Sequence, residues 1–356
     1  MIGESIMWKY IAQEPSCIRK LLASNQFSQI APLLKSFPKI CFVAHGSSYN
    51  AAITVRHFFA ENCSMDVRVF TPLDLKTNGE TILKEDETLI IGISQTGTSR
   101  GVLEALRMAK QYGRTTLAIT NSENSPIAQL CDETFYLLCG DEMSNAKTKG
   151  YTNTLTALLL LAAEIGKNNA CLSDARVDQI RQEISDSLNF FSKLKERMIA
   201  KLKERRFGEK IEALYVLGDG MNFGTAMEGQ LKMMETQCIP TACNNTGEFS
   251  HGMHRSISAH IHTIVIDVAD SGEHIDEIQS FLQECGNQNI LITTNSKKQG
   301  NIVLEIPLFP LTQSVLLTTL LIQTISVFVP EINGNDPNRN SHDSLTDFVH
   351  TRIVSA

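Results

Sequence analysis

Serine, threonine and glycine crowd two short turns, and each turn follows an apolar run. Gly46-Ser47-Ser48-Tyr49-Asn50 comes after Ile40-Cys41-Phe42-Val43-Ala44, and Ser94-Gln95-Thr96-Gly97-Thr98-Ser99 comes after Thr88-Leu89-Ile90-Ile91-Gly92-Ile93. Both turns lead into segments of helical periodicity. A helix N-terminus offers unpaired backbone N–H groups and a partial positive charge, so anions settle there. Gly46 and Gly97 let the backbone come close to a ligand. The hydroxyls of Ser47, Ser48, Ser94, Thr96 and Ser99, the Gln95 amide and the main-chain amides would cradle a phosphate without a single Lys or Arg. A phosphorylated small molecule is the expected ligand.

A second group of polar residues lies downstream. The run Thr225–Glu235 reads as a helix, and Glu228, Lys232 and Glu235 sit at i, i+4 and i+7, on one face. Such a face is either a solvated, salt-bridged surface or part of a site. The next segment, Asn244 to Gly252, is a polar loop that carries His251 between two glycines. A carboxylate, a histidine and a phosphate cradle are what aldose–ketose chemistry needs. Moving a proton between C1 and C2 of a sugar phosphate takes a carboxylate base within hydrogen-bond reach of both carbons. Ring opening takes an acid–base group, and His suits neutral pH. The phosphate, remote from those carbons, fixes the substrate's orientation. GxSxG, HExxH and Walker motifs are absent, as is a GxGxxG opening a strand–helix unit.

The elements that must hold these residues are written twice. Residues 40–52 align with 214–226, and 86–120 with 260–294; Gly97 falls on Gly272. Apolar runs at 40–44, 66–70, 87–93, 116–120 and 134–138 in the first copy, and at 213–217, 261–268, 289–293 and 302–306 in the second, alternate with helical patterns. That alternation predicts an α/β fold with parallel sheets in three layers. Ligands in such sheets bind beyond the carboxyl ends of the strands. The second copy has lost its cradle: Ala269-Asp270-Ser271-Gly272-Glu273 replaces Ser94-Gln95-Thr96-Gly97-Thr98, and two carboxylates would repel a phosphate. One phosphate site per chain is expected. The expected layout is a helical segment over 1–36, a first domain over 37–172, a charged linker helix over 173–206, a second domain over 207–335 and a tail over 336–356.

Composition narrows the partners. The 356 residues are 42% hydrophobic and 20% charged, with a net charge of −7, which argues against nucleic acid or an acidic membrane. No stretch approaches the roughly 20 apolar residues that span a bilayer; the richest, Thr154 to Ala163, reads as a buried helix. The N-terminus lacks the regions of a secretion signal, so a cytoplasmic location is expected. The nine cysteines form no CxxC pair and read as reduced thiols, mostly in apolar surroundings. No metal or organic cofactor is expected, because His and Cys show no ligand spacing.

At GSSYN (46–50), SQTGTS (94–99), Asp141–Lys149, EGQLKMME (228–235) and GEFSHG (247–252), the chain resembles the sugar-isomerase (SIS) fold family. Specifically, it is similar to the double-SIS isomerase half of glucosamine-6-phosphate synthases, the glutamine–fructose-6-phosphate aminotransferases. The resemblance implies two tandem flavodoxin-like SIS domains. It places Ser47, Ser48, Ser94, Gln95, Thr96 and Ser99 on the sugar phosphate, and Gly46, Glu142 and Lys147 around the substrate pocket. It makes Glu235 the proton-shuttling carboxylate, Lys232 its support and His251 the ring-opening group. That histidine reaches the site from the neighbouring subunit in the family, which implies a homodimer with shared sites.

Three departures redirect the expected activity. The chain starts at the isomerase half, without a glutaminase domain. Residues 336–356 hold no lysine to form a Schiff base with a ketose. Lys147 replaces a small hydroxyl residue near the sugar. Deglycases of fructosamine 6-phosphates share the first two of these traits, and their substrates already carry the amine. The expected function is therefore a fructosamine-6-phosphate (Amadori) deglycase. The alternatives are a glucosamine-6-phosphate isomerase/deaminase or aminotransferase-type ketose–aldose isomerase and, in another class, a non-catalytic sugar-phosphate sensor. Intact Glu235 and His251 count against the sensor.

Overall fold

A computed structural model describes residues 3–34, 37–269 and 272–353, with the side chains of residues 31, 311, 313 and 347 outside the description. The first sheet holds β1 (Lys39–Ala44), β2 (Asp66–Phe70), β3 (Thr88–Ile93), β4 (Thr116–Thr120) and β5 (Glu133–Tyr136), all parallel, in the order β2-β1-β3-β4-β5. The second holds β6 (Ala213–Gly218), β7 (Thr241–Asn244), β8 (Ile261–Asp267), β9 (Asn289–Thr293) and β10 (Ile302–Glu305), also parallel, in the order β10-β9-β8-β6-β7. Counted from the first strand of each sheet, the two orders are the same. The duplication read from sequence is thus a duplication of topology.

Parallel sheets are covered on both faces, so their inner strands need unbroken apolar runs rather than alternation. β3 and β4 are buried along their whole length. Four of the second sheet's strands match the expected runs. β7 is an addition, an edge strand of four residues whose mixed composition gives no such run.

Two compact units contain the sheets, and neither is contiguous in sequence. The first-sheet unit comprises Ser16–Glu142, Lys149–Gln182 and Asn340–Ala356; the second-sheet unit comprises Met1–Pro15, Met143–Thr148 and Glu183–Arg339. In the first, helix Lys149–Asn168 packs on helix Gly46–Cys63 and buries Tyr151, Leu155, Leu158 and Leu159. The buried helix expected at 154–163 lies within it. In the second, helix Leu311–Ile332 packs on helices Met221–Thr236 and Phe191–Arg205. Its Ser314–Ile332 stretch is 19 residues long with a mean hydropathy of 1.8, which corrects the expectation that no stretch has membrane-spanning length. It is 94% buried, as the core helix of a folded domain is.

All nine cysteines are free thiols, and Cys17, Cys41, Cys63 and Cys139 are buried while Cys171 and Cys238 are exposed. Burial pushes the Cys41, Cys63 and Cys139 thiols up to about 12. A buried histidine gives the second-sheet unit a pH dependence. His262 on β8 is 3% exposed, lies edge-on to Phe207 at 4.9 Å, and neither ring nitrogen has a hydrogen-bond partner. Burial pushes it down to about 4; the Gln288 side chain and the His260 backbone oppose this weakly, without forming a normal hydrogen bond. Below pH 6.5 the unfolded chain takes a proton that the fold refuses until about pH 4. The contribution is therefore full above pH 6.5, and about 3 kcal/mol is lost as the pH falls to 4. Urea midpoints measured across this window should fall in the parent and fall less steeply in His262→Phe.

Candidate active site

β1 and β3 are neighbours, with Ala44 opposite Ile93, so the turns that follow them leave the sheet side by side. This pair is also where the strand order reverses, the place where open α/β sheets bind ligands. The first turn opens helix Gly46–Cys63 directly. His45 is extended and offers no side-chain cap, Gly46 has φ 55°, and helical bonding begins with the Tyr49 N–H donating to His45 O at 3.4 Å. Ser47 and Ser48 lie half-buried in the first helical turn.

The second turn is held from inside. Ser94 is buried, and its Oγ accepts the Ser99 N–H at 3.4 Å, while its carbonyl accepts the Gly97 N–H at 2.9 Å. The Thr96 and Thr98 hydroxyls lie 2.9 Å apart. Gly97 has φ 71°, and a Cβ there would sit 2.2 Å from the Ser125 side chain, so both backbone and space demand glycine. Gln95 donates its amide to Glu142 Oε2 at 3.3 Å, and the same oxygen accepts the Gly150 N–H at 2.9 Å. Glu142 is buried and orients Gln95. The segment Thr351–Ile353 runs along this turn, with Arg352 bridged to Ser99 through the backbone.

The corresponding place in the second sheet is acidic. β6 and β8 pair with Gly218 opposite Ile266; Asp267 ends β8, and the turns beyond the two strands carry Asp219 and Glu273. Thr246 ties them together: its N–H and hydroxyl donate to Asp219 at 3.2 and 2.9 Å, and its Oγ1 accepts the Glu273 N–H at 2.7 Å. Asp267 Oδ1 accepts the Gly272 N–H at 3.2 Å. Burial, aided by the Glu273 charge, holds the Asp219 carboxyl above the usual carboxylate range. A phosphate dianion would meet like charge here. Asp270 and Ser271 lie outside the described residues.

Helix Met221–Thr236 carries the acid group. The solvated face that Glu228, Lys232 and Glu235 could have formed is ruled out: Lys232 is fully buried, Glu228 is 1% exposed, and only the Glu235 side chain, at 33%, reaches solvent. Lys232 Nζ lies 3.4 Å from Glu228 Oε1 and donates a hydrogen bond to Glu235 Oε2. Burial alone would lower its pKa, but the two carboxylates outweigh that and hold it above the ordinary lysine value. Lys232 is therefore a fixed cation that aims Glu235, and at neutral pH it is no amine nucleophile.

Lys147 and His251 lie in the same unit. Lys147 is half-buried and donates to Ser144 O at 2.7 Å. His251 is exposed, just past helix Thr246–Phe249, whose N-cap Asn245 accepts the Glu248 N–H at 2.7 Å. His251 forms no hydrogen bond or ion pair with Glu235. Sequence reasoning missed Asp219, Thr246 and Arg352. For Arg352 the available signal was the β-prone run Thr351-Arg352-Ile353-Val354 after a polar stretch.

Residues 33–164 match the SIS domain family, and with the shared strand order the chain folds as tandem SIS α/β domains. Its sequence is similar to the isomerase (C-terminal) half of glutamine–fructose-6-phosphate aminotransferases. It is 26% identical to that of Thermococcus kodakarensis over 96% of this chain and 58% of the relative, and 29% identical to that of Pseudomonas syringae pv. tomato over 96% and 58%. The chain thus spans a little over half the length of these relatives. The C-terminal domain of glucosamine-fructose-6-phosphate aminotransferase from Francisella tularensis shares the fold with a TM-score of 0.82, at 24% identity over 95% of this chain and 99% of that one. Glucosamine-6-phosphate deaminase from Thermotoga maritima shares it with a TM-score of 0.76, at 21% identity over 95% and 98%.

Proposed function

We propose that the chain is an enzyme acting at C1 and C2 of an amine-bearing hexose 6-phosphate, most simply as a fructosamine-6-phosphate deglycase. The contrast between the two switch points carries this reading: hydroxyls and amides in the first sheet, where the Glu142 carboxylate is taken up by Gln95 and Gly150, against three carboxylates in the second. The names of the relatives supply the substrate class, since they aminate fructose 6-phosphate. The locked ammonium of Lys232 and the lack of lysine in residues 336–353 favour a substrate that brings its own amine.

In this mechanism Ser47, Ser48, Ser94, Gln95, Thr96 and Ser99 hold the phosphate, and His251 moves the proton that opens the ring. Glu235 takes the proton from C1 of the ketosamine and returns it to C2, while the nitrogen's proton passes to the C2 oxygen. The C1–N bond becomes an imine. Water then adds to C1 with one proton going to nitrogen; the hydroxyl proton of this carbinolamine follows it to nitrogen as the C–N bond breaks, giving aldose 6-phosphate and free amine. We infer further that the working form is a homodimer in which each subunit lends its His251 to the other.

A panel of ketosamine 6-phosphates and amino-hexose 6-phosphates, scored for free amine and glucose 6-phosphate, tests the assignment. Release of both from ketosamines is expected. Turnover of glucosamine 6-phosphate alone would favour the deaminase, and binding without any turnover would leave a sensor. Ser94→Ala with Thr96→Ala should weaken phosphate-ester binding by about 2–3 kcal/mol, at ~1–1.5 kcal/mol per lost hydrogen bond. Calorimetric affinities equal to the parent's would remove the cradle.

A further inference from the structure

The segment Thr351–Ile353 of the first-sheet unit lies against the Ser94–Ser99 turn. Ser99 and Arg352 form an antiparallel bridge. The Arg100 N–H donates to Thr351 O at 3.0 Å, and the Ile353 N–H to Thr98 O at 2.9 Å. These bonds flank the Ser99–Arg352 pair rather than joining it. Pairs of that kind have Cα atoms about 4.5 Å apart, and their side chains leave on the same side of the ribbon. Ile353, next along the strand, turns the other way and packs on the apolar cluster that includes Val102, Leu103 and Leu106. Arg352 is left exposed, on the Ser99 side. Among the described residues, no carboxylate pairs with it.

We propose that Arg352 is the cation of the phosphate cradle, its guanidinium closing on an ester phosphate seated over the Ser94–Ser99 turn. This rests on the phosphate reading of that turn given above. A planar guanidinium offers two parallel N–H donors to a phosphate, with both charge and geometry in its favour. In a chain of net charge −7, one cation fixed at the turn offsets a field that opposes anions. The segment's two backbone bonds and the half-buried Ile353 hold the arginine at the turn before any ligand arrives.

Calorimetric titration of the full chain with glucose 6-phosphate, repeated with inorganic phosphate, tests this. Arg352→Ala is expected to bind both probes about 10–100-fold more weakly, in line with loss of a charge-assisted contact. Arg352→Lys should keep part of the affinity and Arg352→Glu should bind worst, with the differences largest at low salt. Ile353→Ala, which loosens the strand without removing charge, should cost less than Arg352→Ala. The proposal is overturned if Arg352→Ala binds within about twofold of the parent while the Ser94/Thr96 double variant is weakened. It is also overturned if Arg352→Ala, Arg352→Glu and Ile353→Ala all weaken binding equally, since the strand would then matter only as a brace. If the parent and the double variant bind alike, or neither binds, the cradle itself fails and the arginine's role falls with it.

Discussion

Replacing Glu235 with Gln is expected to cut turnover of a ketosamine 6-phosphate by about 10²–10⁴-fold, the range that general base catalysis supplies, while sugar-phosphate affinity stays within a few fold. Gln keeps the shape of the side chain and an oxygen that can still accept from Lys232 Nζ. What it loses is the ability to hold a proton between C1 and C2. Single-turnover rates beside calorimetric binding separate the two effects. Mixing this variant with His251→Ala extends the test to the dimer: heterodimers with shared sites keep one intact Glu235–His251 pair and should regain part of the activity. A Glu235→Gln protein that turns over as fast as the parent would take this carboxylate out of the chemistry.

Lys232→Ala should be the most damaging change to the fold, lowering stability by about 3–5 kcal/mol. Removing one partner of a buried ion pair strands the other, and Glu228 at 1% exposure has little water to turn to. The additional change Glu228→Gln should recover part of the loss by removing the stranded charge. The chain's single tryptophan reports the result, because Trp8 lies in the second-sheet unit and donates its Nε1–H to Glu331 at 3.0 Å. A urea midpoint followed by Trp8 fluorescence that barely moves would show that Lys232 contributes little to holding this helix.

Much of the scaffold was legible because a parallel strand covered on both faces must be apolar throughout. β1, β3, β4, β6, β8 and β9 announce themselves for that reason, and the repeat between halves gave away the shared topology. β7 did not, because an edge strand of four residues needs no apolar run. The polar turns could be read as turns into helices because glycine and hydroxyl residues directly after a strand favour turns and helix N-termini. The Glu228–Lys232–Glu235 spacing was visible too, but periodicity gives only which residues share a helix face. Whether that face meets water or protein depends on what packs there, and helix Leu311–Ile332 lies distant in sequence. The pairing of Thr351–Ile353 with the cradle was hidden for a different reason: backbone hydrogen bonds can be made by almost any residue type and leave little trace in sequence.

The interleaving of the two units has a consequence for how the protein is made. On the ribosome, strands β1 to β5 and their helices emerge early, and domains tend to fold as they appear. Yet the segment that borders the Ser94–Ser99 turn belongs to residues 340–353, which are translated after the entire second-sheet unit. A nascent chain can therefore complete its first sheet long before the segment that borders this turn is made.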